Sequence, residues 1–225
     1  MTDRSAQVGR LLELVVHDLR NPAATIGANV AFARDVVQGG DADLVESLAD
    51  VEQALGDMVQ GLRHVARVAR WLTGEESEII EDADVREAIS QVGDLPEGTT
   101  VRVKVPDEPL RARGGKALGE LLDVLLANAV QHAPGGTVEI EASRDDRGIV
   151  VTVTDTGRAV GEDLRQDCFT LAAQDRLKGR ADGRYGRAAG LLAARLIAEA
   201  MGGSVEAGGV DGAAVFTIRL SSVKP

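Results

Sequence analysis

Aromatic residues are nearly missing from this chain: one Trp, one Tyr and three Phe in 225 residues, or 2%. Basic residues are outnumbered, 25 Lys and Arg against 36 Asp and Glu, for a net charge of −11. A chain short of both lacks the electrostatic footprint and the stacking platforms that nucleic acid requires. It is equally ill suited to an anionic membrane surface. There is a single cysteine, Cys168, so no intramolecular disulfide can form. No apolar run reaches the roughly 18 residues of a membrane-spanning helix. The first ten residues, MTDRSAQVGR, show neither the apolar stretch nor the cleavage site of a signal peptide. These absences point to a cytoplasmic protein. Hydrophobic residues still make up 44% of the chain, enough for a packed core.

The apolar residues that are present have a strong period over the first 73 positions. Val8, Leu12, Val15, Leu19, Pro22, Ile26, Val30, Ala33 and Val37 follow one another at steps of three and four. Leu44, Leu48, Val51, Leu55, Met58, Leu62, Val65, Ala69 and Leu72 repeat the pattern. Both are heptad seams on long helices. Gly39 and Gly40 close the first helix, and Asp41 or Asp43 caps the second. The spacing predicts an antiparallel hairpin over 1–73. One hairpin cannot bury both seams, so a homodimer forming a four-helix bundle is expected. Residues 74–82, beginning Gly-Glu-Glu-Ser, read as a linker.

The pattern changes in residues 83–225. Alternation at Val101, Val103 and Val105 predicts a strand, and Leu118 to Val130 an amphipathic helix. Val138 with Ile140, and Val151 with Val153, predict a hairpin across Arg144 to Gly148. A helix from Leu191 to Met201 and strands around Val205 and Val215 to Leu220 complete an α+β layer, helices on one face of a mixed sheet.

Two groups of residues stand out chemically. His17-Asp18-Leu19-Arg20-Asn21-Pro22 lies within the first helix. At 100° per residue His17 is turned 200° from both Val15 and Leu19, so it faces solvent while the seam faces away. Asn21 is one turn on, Asp18 can hold one ring nitrogen, and Pro22 removes a backbone hydrogen bond and loosens the turn. A surface histidine in a charged helix is the ordinary alternative, and spacing alone does not name a chemistry. The second group is Asn128 on an apolar helix, Asp155-Thr156-Gly157 after a strand, and Gly186 to Leu192 opening a helix. Taken singly these are a helix-end Asn, a tight turn and a glycine-loosened helix start. His64, beside the seam, is expected to be exposed. Cys168, next to Phe169, is expected to be buried.

The hexapeptide resembles the phosphoacceptor box of sensor histidine kinases, His-Glu/Asp-x-x-x-Pro, in the first helix of a dimerising hairpin. The second group, in its order, resembles the ATP-binding domain of the same family, shared with Hsp90-like and gyrase-like ATPases. The resemblance implies phosphorylation of His17, with Asp18 as base and Asn21 orienting water for dephosphorylation of the partner. It also implies that Asn128 helps hold Mg²⁺, that Asp155 with Gly157 beside it reads the adenine of ATP, and that Gly186 and Gly190 carry the phosphates. Phe169 precedes a lid over Gln174 to Tyr185, in a segment 165–187 with six basic and three acidic residues. The departures are Val124 four before Asn128, Gln131 after it, and Ala159 and Ala188 where the family has glycine. Each alanine adds a methyl where backbone approaches ligand or takes positive φ; one such change is tolerable, and several together are expected to weaken or alter ATP binding.

Three functions compete on this reading. The first is a histidine kinase core that passes phosphate from ATP through His17 to the Asp of a response-regulator receiver domain. The second is a sensorless histidine phosphotransferase relaying phosphate between receiver domains. The third is a noncatalytic pseudokinase docking module. With the residues divided between hairpin and ATPase-type domain, the stimulus is expected to come from a separate sensor protein or from a further part of the chain. Residues 1–83 carry 15 acidic and 7 basic side chains, so most of the negative charge falls on the hairpin, where a partner would dock.

Overall fold

The computed structural model describes residues 3–37, 42–73, 81–92, 98–133, 135–162, 165, 167–170 and 189–223. The chain forms two compact units, Met1–Thr73 and Gly74–Pro225.

The first unit is two helices, α1 (Asp3–Val37) and α2 (Ala42–Thr73), packed on each other. Asp43 lies in the first turn of α2 and Arg70 in its last, each favourable to the helix dipole. Arg34 of α1 pairs with Glu52 of α2. The expected capping residues Gly39, Gly40 and Asp41 lie outside the described residues. Pro22 was expected to loosen its turn, yet α1 runs unbroken through it. A missing N–H costs one helical bond, and the rest of the 35-residue helix tolerates it.

The packed face of α1 is not the predicted seam. A Cβ added at Gly9 would lie 2.8 Å from Thr73 Cγ2, and one at Gly27 would lie 2.9 Å from Leu55 Cδ2. Val16 and Ala23, on the same line at heptad spacing, are buried. Val8, Val15, Leu19 and Ile26 on α1, and Leu44, Val51 and Met58 on α2, keep 43–46% of their surface exposed. Small residues let the two backbones approach closely, so they line the intrahelical-pair contact and leave the larger seam residues half covered. His64 is the reverse case. Expected at the surface, it is buried, at 3.4 Å from Gln60, because α2 also buries Leu62, Val68, Ala69 and Trp71 around that turn.

The second unit starts with a short strand β1 (Asp82–Asp84) and helix α3 (Val85–Ser90). Asp84 caps α3 by accepting from the Arg86 N–H at 2.8 Å. Asp82, expected at the end of the linker, is thus already in a strand. Strand β1 pairs antiparallel with β3 (Arg111–Arg113). The main sheet has five strands in the order β2 (Thr100–Lys104), β4 (Thr137–Asp145), β5 (Gly148–Arg158), β7 (Ala213–Leu220), β6 (Ser204–Val210). Only β2 and β4 are parallel. Helices α4 (Gly115–His132) and α5 (Ala189–Ala200) pack together, α4 against β4 and β5 and α5 against β6. This is the mixed sheet with one helical face that the alternation predicts.

The sheet is strictly two-sided. Val138, Ile140, Val151, Val153, Phe216 and Ile218 point to the helices and are buried under Leu121, Leu122, Leu125 and Ile197. Each fully buried side chain of this size contributes about 1.5–3 kcal/mol. The opposite face alternates to Glu139, Glu141, Thr152, Thr154 and Thr217, with Lys104 and Glu139 paired at 2.9 Å. At the β4–β5 turn, Asp145 accepts from the Arg147 and Gly148 N–H groups at 2.8 and 3.0 Å. These bonds and the nearby Arg219 hold its carboxyl below the ordinary range.

Candidate functional site

His17 lies on the exposed side of α1, and Asn21, one turn on, is exposed too. The carbonyl of Asn21 accepts the Thr25 hydroxyl at 3.1 Å within the unbroken helix. Asp18 is the next residue of the same helix; its side chain lies outside the described residues. The structure thus leaves His17 exposed on an unbroken helix.

The other group is built where β5 meets the end of α4. Strand alternation places Asp155 on the helix side of the sheet, after Val151 and Val153. It is 1% exposed. Its Oδ1 accepts the Gly157 N–H at 2.8 Å. Its Oδ2 is buried with no hydrogen-bond partner among the described residues. Burial pushes the carboxyl above the ordinary value, against the lowering effect of the Gly157 bond. A buried oxygen that lacks a donor is costly in isolation and calls for a partner.

Asp155, Thr156 and Gly157 were expected to form a tight turn after the strand. They instead remain in β5, which slips register against β7 between Asp155 and Arg158. Such a bulge re-aims a side chain without ending the strand. Gly157 is required there by close approach: a Cβ would lie 2.6 Å from Asp155 Oδ1 and 3.0 Å from the His132 carbonyl oxygen at the end of α4. Asn128 is one turn before His132 on the same helix face and is half-buried. Gly190 is buried in the first turn of α5, which packs on α4. Gly186, Ala188 and the lid over Gln174 to Tyr185 lie outside the described residues. Val124 is buried, part of the core.

Phe169 is buried, edge-on to Phe216 with ring centroids 6.3 Å apart. Cys168 beside it is fully buried, and desolvation pushes its thiol up to about 12. The native protein is therefore expected to resist a disulfide reagent at pH 8 and to react at once when unfolded, since the thiolate is the nucleophile. A stoichiometric absorbance assay with and without denaturant checks this.

Ala159, one of the departures expected together to weaken ATP binding, adds no backbone strain of its own. Asp211 is the one non-glycine residue with positive φ among those described, so Ala159 sits in ordinary backbone. Its methyl lies against Gly209 of β6, where a Cβ would be only 2.6 Å away. The missing glycine on β5 is matched by a glycine on β6. Sequence reading could not find this pairing, because the two residues are 50 positions apart.

Residues 114–224 match the family described as histidine kinase-, DNA gyrase B- and HSP90-like ATPases. The second unit is an ATPase domain of this family. The chain is also 25% identical over 228 residues to the C4-dicarboxylate transport sensor protein DctB of Rhizobium meliloti, covering 97% of this chain and 35% of that protein. It is 27% identical over 206 residues to the sensor histidine kinase YcbM of Bacillus subtilis, covering 87% of this chain and 65% of the relative. These matches run through hairpin and ATPase domain together, so the chain has the two-part make-up of a histidine kinase core. It spans only about a third of DctB and just under two thirds of YcbM. In fold it is similar to full-length ShkA, crystallised with AMPPNP, with a TM-score of 0.63 over 96% of this chain and 46% of that one, at 23% identity. Among the described residues no helix of this core is long and apolar enough to cross a membrane.

Proposed function

We propose that this core autophosphorylates on His17 with ATP and passes the phosphoryl group to the aspartate of a response-regulator receiver domain. The observation that carries the reading is the buried, partnerless Oδ2 of Asp155 within a domain of this ATPase family. An adenine amino group supplies the donor it lacks. Asn128, with a neutral amide oxygen on the same end of α4, suits a hard cation shared with the phosphates. Gly186 and Gly190 would cradle the phosphates. ATP supplies the phosphoryl group, and Mg²⁺ supplies counter-charge.

The residues of this chain then have defined tasks. A neutral ring nitrogen of His17 attacks the γ-phosphorus; the new N–P bond forms as the bond to the ADP oxygen breaks. Asp18 takes the proton from the other ring nitrogen. Asn21, on the same exposed face, orients water for the reverse, dephosphorylating activity. Positioning and charge stabilisation provide most of the acceleration. Incubation with radiolabelled ATP and Mg²⁺ tests the reading: an acid-labile, base-stable label supports it, and absence of both label and nucleotide binding ends it.

The half-exposed seam on α1 and α2 supports a homodimer, since a second copy covers the same heptad positions as a four-helix bundle. Changing Val51 and Met58 to Glu places charge on that face. The expected result is a shift from dimer to monomer, read by light scattering, because two buried unpaired carboxylates per subunit outweigh the apolar contact.

A further inference from the structure

The segment that carries Asp155 is locked onto the tip of the β6–β7 hairpin. After the register slip, Arg158 pairs with Ala213, the first residue of β7. The Ala159 N–H donates to the Gly212 carbonyl at 2.9 Å. Asp211 and Gly212 have φ of 51° and 84°, both left-handed, as a two-residue primed turn requires. One residue before β6 ends, Gly209 leaves the space that the Ala159 methyl fills, and a Cβ there would also meet the Ala213 carbonyl oxygen at 3.2 Å.

We infer that the hairpin tip is a template that sets residues 155–159 for nucleotide reading, with Gly209 the positioning residue that seats Ala159. This rests on Asp155 accepting from the adenine amino group. Alanine at 209 cannot share space with the Ala159 methyl, so one strand must move. The bulge, held by few bonds, moves more easily than the paired β6–β7 ladder. Asp155 itself is held between Val138 and Ala214, but the Gly157 N–H that binds its Oδ1 and so aims its Oδ2 lies in the bulge and moves with it, and a displacement near 1 Å in such a site is costly to recognition. A merely structural role for Gly209 would lower stability and leave nucleotide choice intact.

Calorimetric titration of the full chain with ATP and with inosine triphosphate separates the two. The inosine base carries an oxygen where adenine carries the amino group. Wild type is expected to prefer ATP. Gly209→Ala is expected to lose about tenfold in ATP affinity and most of that preference, and Ala159→Gly added to it is expected to restore both. Should Gly209→Ala fail to fold, Gly212→Ala carries the same readout. Its added methyl meets no atom within 4 Å, but it strains the φ of +84° that aims the carbonyl at Ala159. An unchanged ATP preference in a folded variant, or no rescue by Ala159→Gly, overturns the inference. Wild type binding neither nucleotide overturns the Asp155 reading itself, and the inference falls with it; that failure shows in the wild type and not in the variants.

Discussion

His17→Gln is expected to abolish the acid-labile label that the wild-type protein takes from ATP, to below about one part in a hundred. Glutamine has similar reach and polarity but an amide nitrogen whose lone pair is delocalised, so no N–P bond forms. The substitution touches no core. His17 is exposed on an unbroken helix, and surface changes of this kind stay within about 0.5 kcal/mol of wild-type stability. ATP affinity should be unaltered, because the nucleotide residues belong to the other unit. The measurement is label retention after acid and base treatment, with calorimetry on the same preparation. Label persisting in His17→Gln would place the phosphoacceptor elsewhere and remove the role assigned to Asp18 and Asn21.

Asp155→Asn is expected to weaken ATP binding by about ten- to a hundredfold at neutral pH. The argument is one of counting acceptors. The carboxylate has two acceptor oxygens: Oδ1 takes the Gly157 N–H and Oδ2 is left for the ligand. An amide has one, so either Gly157 or the adenine amino group goes unsatisfied. Hydrogen bonds to charged groups are worth about 1.5–3 kcal/mol, which sets the range. The pH dependence follows from burial. The folded protein holds the Asp155 carboxyl above its unfolded value. Its contribution to stability is therefore present in full below the unfolded pKa and lost as pH rises through the folded one. Nucleotide-free Asp155→Asn should accordingly gain stability relative to wild type as pH rises through that window. ATP affinity runs the opposite way: it rises with pH in the wild type as the acceptor ionises, and stays flat in the variant. Thermal denaturation and calorimetry over a pH series read both slopes. Parallel stability curves for the two proteins, or equal ATP affinity, would refute the assignment.

Much of this was legible because it is periodic or local. Heptads of Leu and Val named two long helices, and alternation at Val138, Ile140, Val151 and Val153 named the central strands. The box at His17 and the order of Asn128, Asp155 and Gly157 carried the resemblance. Three very short elements were not legible. Strand β1, helix α3 and strand β3 have three, six and three residues, fewer than two full periods of their pattern. Nor was the buried state of His64, since the residues that cover a turn of α2 are not set by the heptad alone.

The role of Ala159 shows where the boundary lies. As a string, the alanine replaces a glycine and reads as damage to an ATP site. In the fold, its φ is ordinary and its methyl rests on Gly209. The sequence by itself determined the helices, the strands, the exposed position of His17 and the order of Asn128, Asp155 and Gly157, because each depends on neighbours within a turn or two. The tertiary structure decided which face of α1 packs, that β5 bulges instead of turning, and that one oxygen of Asp155 is buried with no partner among the described residues. Those outcomes depend on contacts between residues far apart in the chain, and only close packing brings such residues to the distances at which a methyl or a lone pair counts.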